Sequence, residues 1–205
     1  MSMRRAEPRD RDDVSRLHVM AGPNVYKYFF ACDEEGALAI NSVLFNVPET
    51  FSSMQYYHVC ESRGVVQGAI GMFPGRDHEA MNRNVGRHIL DIIGITGYGA
   101  LPKMILRGRL GRRMPSLGDD ELYIEALAVY PEYRGRGLSS AMLKYAFGES
   151  ARLGLPLLSL YAEINNESAI AIYRSKGFRV ADTLELPSRY RKHNLFGFHK
   201  MVAPV

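Results

Sequence analysis

Apolar positions in this chain switch between two periods, and the switch points predict a mixed fold. Met3-Arg4-Arg5-Ala6 reads as a short strand and Pro8-Arg9-Asp10 as a turn that supplies an N-cap. Val14, Leu17, His18 and Ala21 then recur at helical spacing until Gly22-Pro23 ends the run. Two further helical pieces are expected between Asn24 and Val47, one with Tyr26, Phe29 and Phe30, the other with Leu38, Asn41, Leu44 and Phe45 on a common side. Residues 55–61 and 65–73 are β-rich runs separated by Ser62-Arg63-Gly64, which predicts a hairpin. Residues 76–120 interrupt the strand pattern. There Met81, Val85, Ile89 and Ile92 fall on one helical face, and Pro102 suits the first turn of a second helix ending near Gly111. The passage therefore reads as inserted helices. Strand character resumes over 121–129, followed by a helix over about 138–153 that Gly154 caps. A strand over 157–164, a helix over about 167–176 stopped by Gly177, and strands around 178–186 and 195–201 complete one α+β domain.

Composition narrows the chemistry. With 205 residues, 46% of them hydrophobic, the chain is long enough for a core that needs no staples. Two cysteines, Cys32 and Cys60, are too few for a disulfide framework, and no Cys/His spacing suggests zinc, so no metal is expected and a reducing cytoplasm fits. The charged first 13 residues lack an apolar signal region, and no apolar run approaches the roughly 18 residues of a membrane span. A soluble protein with no membrane partner is expected. A net charge of +4 is a small excess for a nucleic-acid binder, so nucleic acid is not expected as a partner. Lys103, Arg107, Arg109, Arg112 and Arg113 crowd one stretch, which reads either as a solvated helical face, the plainer account, or as a lure for an acidic group.

The segment Val129-Tyr130-Pro131-Glu132-Tyr133-Arg134-Gly135-Arg136-Gly137-Leu138 joins a strand to a helix through two glycines. That arrangement lets backbone N–H groups converge on an anion at the positive end of a helix, with Arg134 and Arg136 adding charge. It lacks the third glycine of a dinucleotide fingerprint and the Gly-Lys-Ser/Thr ending of a P-loop.

Arg134-Gly135-Arg136-Gly137-Leu138-Ser139 resembles the arginine-x-x-glycine-x-glycine/alanine loop of the GCN5-related N-acetyltransferase superfamily, with Ser139 in place of the usual last residue. Glu125-Ala126-Leu127-Ala128-Val129 resembles the family's fourth strand. Asn166-Glu167-Ser168-Ala169-Ile170-Ala171-Ile172-Tyr173, with Gly177-Phe178 after it, resembles the family's asparagine-x-x-alanine-x-x-x-tyrosine helix and the glycine-phenylalanine that follows. The three motifs stand in the family's order over roughly 121–180, while 76–120 lies outside its minimal core. The resemblance implies an acyl-CoA N-acyltransferase fold with a mostly antiparallel sheet and a helical insertion between the third and fourth strands.

It also implies acetyl-CoA as co-substrate. The backbone of Leu127, Ala128 and Val129 would hold the pantetheine arm between splayed fourth and fifth strands, and amides from Arg134, Gly135, Arg136, Gly137, Leu138 and Ser139 the pyrophosphate. Asn166 and Ala169 would border the arm, Asn166 also serving as an N-cap. Glu125 matches a position where family members carry the base or a water-ordering residue, Tyr123 shares its face, and Tyr173 matches the donor to the departing thiolate. The amide near Val129 would serve the oxyanion. Direct attack in a ternary complex gives neither cysteine a role.

The acceptor is expected to be a small-molecule primary amine, bound opposite the cofactor among residues 24–47, 76–120 and the loop of Tyr190, Arg191 and His193. The alternatives are a peptide or protein acetyltransferase acting on an α-amine or lysine, and a non-catalytic acyl-CoA sensor; a homodimer is compatible with each. Tyr26, Tyr28, Phe29 and Phe30 suit packing or cation–π contact, and His18 reads as a satisfied structural histidine.

Overall fold

Hairpin and crossover connections build one seven-stranded sheet in the order β1-β2-β3-β4-β5-β7-β6 in a computed structural model that describes residues 2–205. The strands are β1 Ser2–Arg5, β2 Tyr57–Ser62, β3 Val65–Pro74, β4 Glu121–Val129, β5 Leu157–Glu163, β6 Arg179–Glu185 and β7 Gly197–Pro204. Among the described residues only β4 and β5 pair in parallel. The helices are α1 Arg11–Ala21, α2 Pro23–Phe30, α3 Glu34–Leu44, α4 His78–Arg87, α5 Ile89–Thr96, α6 Leu101–Gly111, α7 Leu138–Arg152 and α8 Glu167–Ser175. Helix α1 packs on β3 and β4 from one face, and α7 covers β3, β4 and β5 from the other.

Each layer follows from its pattern. Val14, Leu17 and His18 turn the apolar stripe of α1 inward, and Leu138, Met142, Leu143 and Ala146 do so for α7. The hairpin closes through Arg63 and Gly64, both left-handed, as a two-residue turn of matching twist requires. No single helix among the described residues is long and apolar enough to cross a membrane.

Three expectations change. Asp10 precedes α1 but does not cap it: its carboxylate accepts from Arg4 Nη1 at 2.6 Å and from the Glu7 amide at 2.8 Å, because a buried carboxylate is better satisfied by a guanidinium than by helix amides. The face of Met81, Val85, Ile89 and Ile92 is not one helix, since the chain breaks at His88 between α4 and α5. Met81 consequently packs with Phe73 and Tyr123, whereas Ile92 packs with Ile40 and Leu44. Arg107 leaves the solvated face: its Nη1 donates to the Tyr28 carbonyl at 2.7 Å, while Lys103, Arg109, Arg112 and Arg113 stay exposed.

Two irregularities in the central strands prepare the site. Parallel pairing of β4 with β5 ends at Ile124–Leu160, so β4 continues from Glu125 to Val129 with no strand on that side. Against β3 the register shifts, pairing Gly71 with Ala126 and Met72 with Ile124, which makes Glu125 the extra residue of a β-bulge. The bulge inverts the parity of β4. Leu122 and Ile124 face the α7 core before it, Leu127 and Val129 after it, while Ala126 and Ala128 turn toward α1.

Tyr57 lies across Gly71, where an added Cβ would meet the ring's Cζ at 2.5 Å. The ring is fully buried and has nowhere to retreat. Gly71→Ala should therefore cost about 1–3 kcal/mol of overpacking and lower the thermal midpoint by roughly 3–10 °C. An unchanged midpoint in calorimetry would mean that the Tyr57 ring has room to move.

Candidate active site

The bulge aims Glu125 into a cleft of about 440 Å³ bordered by the end of α1, the start of α2, β5 and α8. Tyr26 from α2 donates its hydroxyl to Glu125 Oε1 at 3.1 Å, and the Tyr123 hydroxyl lies beside it. Burial pushes the Glu125 carboxyl up to about 7, with the two tyrosine hydroxyls opposing the rise by stabilising the carboxylate. Burial likewise raises the phenols of Tyr26, Tyr57 and Tyr123, so these groups remain hydrogen-bond donors at neutral pH. A carboxyl poised near neutrality in a cleft is the form a general base takes.

A second cleft of about 520 Å³ continues from the first, and Met20, Ala21, Asn166, Ala169 and Tyr173 border both. It runs past Leu127, Ala128 and Val129, along the unpaired edge of β4, to Arg134, Gly135, Gly137, Leu138 and Ser139. Gly135 has φ 75° and Gly137 φ 77°, a left-handed pair that only glycine adopts without strain. Gly137 begins α7 with no side-chain cap, so the first-turn amides of Leu138, Ser139 and Ser140 have no intrahelical acceptor. This rim is built to receive an anion, and its shape comes from the backbone.

The structure brings every residue expected to hold the donor or carry the chemistry to this pair of clefts except Arg136, whose Nη2 donates to the Glu132 carbonyl at 3.1 Å and whose guanidinium lies over Tyr133; Tyr190, Arg191 and His193, expected beside the acceptor, border neither cleft. The Arg136 side chain is therefore engaged within the loop itself. Arg134 borders the cleft with Nε bonded to the Val129 carbonyl at 3.2 Å, tying the loop to the end of β4. Asn166 caps α8 by accepting from the Ala169 amide at 3.2 Å, which occupies Oδ1 and leaves its amide N–H groups without a protein partner among the described residues. Tyr173 packs against Phe178 while its hydroxyl bonds no protein atom among the described residues; burial raises it to about 12. Ser139 sits in the first turn of α7 rather than capping it.

Several residues at the site carried no sequence signal. Tyr26 fixes Glu125, although its position within an aromatic helix pointed to packing or cation–π contact and not to a bond with a carboxylate. Glu163 and Asn24 border the first cleft, and burial raises the Glu163 carboxyl. His18 is buried and pushed down to about 3 by that burial, which leaves it neutral and unsuited to proton transfer. One ring nitrogen meets the Tyr57 hydroxyl while Nε2 has no partner among the described residues, so the histidine is only half satisfied. Among the described residues no three His, Cys, Asp or Glu side chains converge on a point.

The model of the acetyltransferase (GNAT) family matches residues 25–178. The ribosomal protein bS18-alanine N-acetyltransferase of Escherichia coli (strain K12) is 37% identical over 62 residues, 30% of this chain and 42% of that protein. A mycothiol acetyltransferase of Clavibacter michiganensis subsp. michiganensis is 41% identical over 64 residues, 31% of this chain and 20% of the relative. These alignments thus span less than half of either relative. Similarity to the solved N-acetyltransferase from Staphylococcus aureus Mu50 covers 99% of this chain and 100% of that one, with a TM-score of 0.72 at 22% identity, a likeness of fold.

Proposed function

This chain belongs to the acetyltransferase (GNAT) family, and on that premise we propose that it transfers the acetyl group of acetyl-CoA directly to a primary amine of a small molecule, in the cytoplasm. The observation that carries the reading is the junction of two clefts. Glu125 borders one, the glycine rim and free edge of β4 border the other, and Tyr173 stands where they meet.

The residues fit the donor by backbone shape. Amides at the Gly135–Ser139 turn would bind pyrophosphate, the open edge of β4 and the free amide of Asn166 would hold the pantetheine arm, and the thioester would reach Tyr173. An alkylamine with a pKa near 10 arrives mostly protonated at pH 7. Glu125, ionised above about 7, accepts that proton, with Tyr26 and Tyr123 placed to hold the carboxylate or a bridging water. Nitrogen then attacks the carbonyl carbon, the oxyanion meets the amide near Val129, and as the C–S bond breaks the proton left on the now cationic nitrogen passes to the departing sulfur, releasing CoA as the thiol. A thiol's ordinary pKa is about 8.5. At about 12, the Tyr173 phenol keeps its proton and serves the thiolate as a hydrogen-bond donor.

Thiol release by the purified protein across amines, antibiotics, polyamines and peptides tests this. Turnover confined to small amines supports it, preference for peptides moves the acceptor to a protein, and no turnover leaves a non-catalytic acyl-CoA sensor. Because Ser139 Oγ bonds no protein atom among the described residues and the rim is backbone-built, Ser139→Gly should hold acetyl-CoA affinity within about threefold by calorimetry. A large loss would mean that the hydroxyl itself binds phosphate.

A further inference from the structure

Behind α2, on the side away from Glu125, lies a separate pocket of about 410 Å³. Lys27, Tyr28 and Ala31 line it from α2 and its end, Arg107 from the inserted helix α6, and Arg191 to Asn194 from the connection between β6 and β7. Because the helix stands between this pocket and the acceptor cleft, a molecule bound here is not the amine acceptor.

The pocket has an unbalanced charge. Lys27, Arg107, Arg191 and Lys192 border it with no carboxylate among its lining residues. The imbalance is written into the three segments that build it, since α2, α6 and residues 188–194 contain no aspartate or glutamate. Asp33, which follows the lining residue Cys32, accepts from the Gly36 amide at 2.9 Å as the cap of α3. None of the four cations forms an ion pair among the described residues. Like charges gathered round one hollow repel each other, and an anion in the hollow turns that repulsion into attraction.

Nor is the pocket a loose surface cluster like that of Lys103, Arg109, Arg112 and Arg113, which are exposed. Arg107 is held by its bond to the Tyr28 carbonyl at 2.7 Å, with its guanidinium 4.9 Å over the Tyr28 ring, so its remaining N–H groups are preoriented. Lys27 is half-buried. His193 meets the Tyr28 ring edge-on at 5.1 Å and adds a ring nitrogen that can bond an oxygen.

We propose that this pocket is a second ligand site, which takes a phosphate group, either the free ion or a small phosphomonoester. A phosphate brings a charge of about −1.5 to −2 at neutral pH and three strong acceptor oxygens, enough to engage cations arriving from three directions. A carboxylate brings one charge and two oxygens, and leaves most of the cations unmatched. The inference goes beyond the acetyl-transfer reading and does not depend on it.

Calorimetry at matched ionic strength, with chloride as the balancing salt, is run with inorganic phosphate, glycerol phosphate and acetate. The protein is tested unaltered, as Arg107→Gln, and as the double variant Lys27→Gln, Lys192→Gln. One of the two phosphates should bind the unaltered protein with a Kd of about 1 mM or below, acetate about tenfold or more weakly, and each variant should lose about tenfold in phosphate affinity. The tighter of the two phosphates tells the free ion from the ester. Absence of binding, acetate held as tightly as phosphate, or full affinity in either folded variant overturns the proposal. Should Arg107→Gln misfold through loss of its bond to Tyr28, the double variant still decides.

The glycine rim at Gly135–Ser139 is the competing anion site, and saturating acetyl-CoA separates the two. Phosphate binding that persists beside acetyl-CoA upholds the pocket, and binding that acetyl-CoA abolishes places the phosphate at the rim and overturns it. If acetyl-CoA itself does not bind, the transfer reading fails, while the variants still test the pocket.

Discussion

Glu125→Gln should lower kcat for amine acetylation by about 10²- to 10⁴-fold while leaving the Kd for acetyl-CoA nearly unchanged, because it removes the proton acceptor and keeps the shape of the cleft. The unaltered protein should gain activity as pH rises through about 7, where the Glu125 carboxyl ionises, and the variant should lose that rise. Stability should move in the opposite sense. A folded-state value of about 7 against an ordinary 4.5 means that the fold prefers the protonated carboxyl, so this group's contribution declines as pH climbs between the two values. Well above pH 7 the ionised carboxylate costs roughly 3–4 kcal/mol before cleft water reduces it. Gln cannot ionise, so the variant should melt a few degrees above the unaltered protein at pH 8 and lose that advantage below about pH 5. Rate profiles and melting curves across pH check both arms; a variant with full activity and an unchanged pH profile would remove Glu125 from the proton path.

Tyr173→Phe should lower kcat by about 10- to 100-fold, the usual loss when one donor to a developing charge is deleted. The Tyr173 hydroxyl bonds nothing else among the described residues, and the ring packs at a tilt against Phe178 with centroids 5.8 Å apart, so Phe should preserve both packing and acetyl-CoA affinity. Calorimetry of acetyl-CoA binding beside steady-state rates separates the outcomes. An equal loss of binding and rate would make Tyr173 part of the cofactor wall and not the donor to sulfur.

Much of this was legible in the sequence because it depends on local rules. The strand-to-helix turn with Gly135 and Gly137 requires left-handed backbone, and glycine announces that requirement. The period change at Glu121 and the capping residue Asn166 are equally local. What escaped depends on residues distant along the chain. The bulge at Glu125 arises from register with Gly71, so no feature of β4 alone discloses it or the parity change that follows. Tyr26 reaches Glu125 only after α2 folds over the sheet, which helical periodicity reports merely as an apolar face. Arg107 read as one of five surface cations because the Tyr28 carbonyl that captures it belongs to another helix. Asp10 likewise followed a local capping pattern until Arg4 offered a stronger partner.

The central claim is direct transfer between the two joined clefts, and initial-rate kinetics with acetyl-CoA and an amine, read alongside intact-protein mass, tests it most directly. Intersecting double-reciprocal lines, CoA release that requires the amine, and no acetylated protein are the predicted result. CoA release without amine, parallel lines and an acetyl group retained on the chain would contradict it.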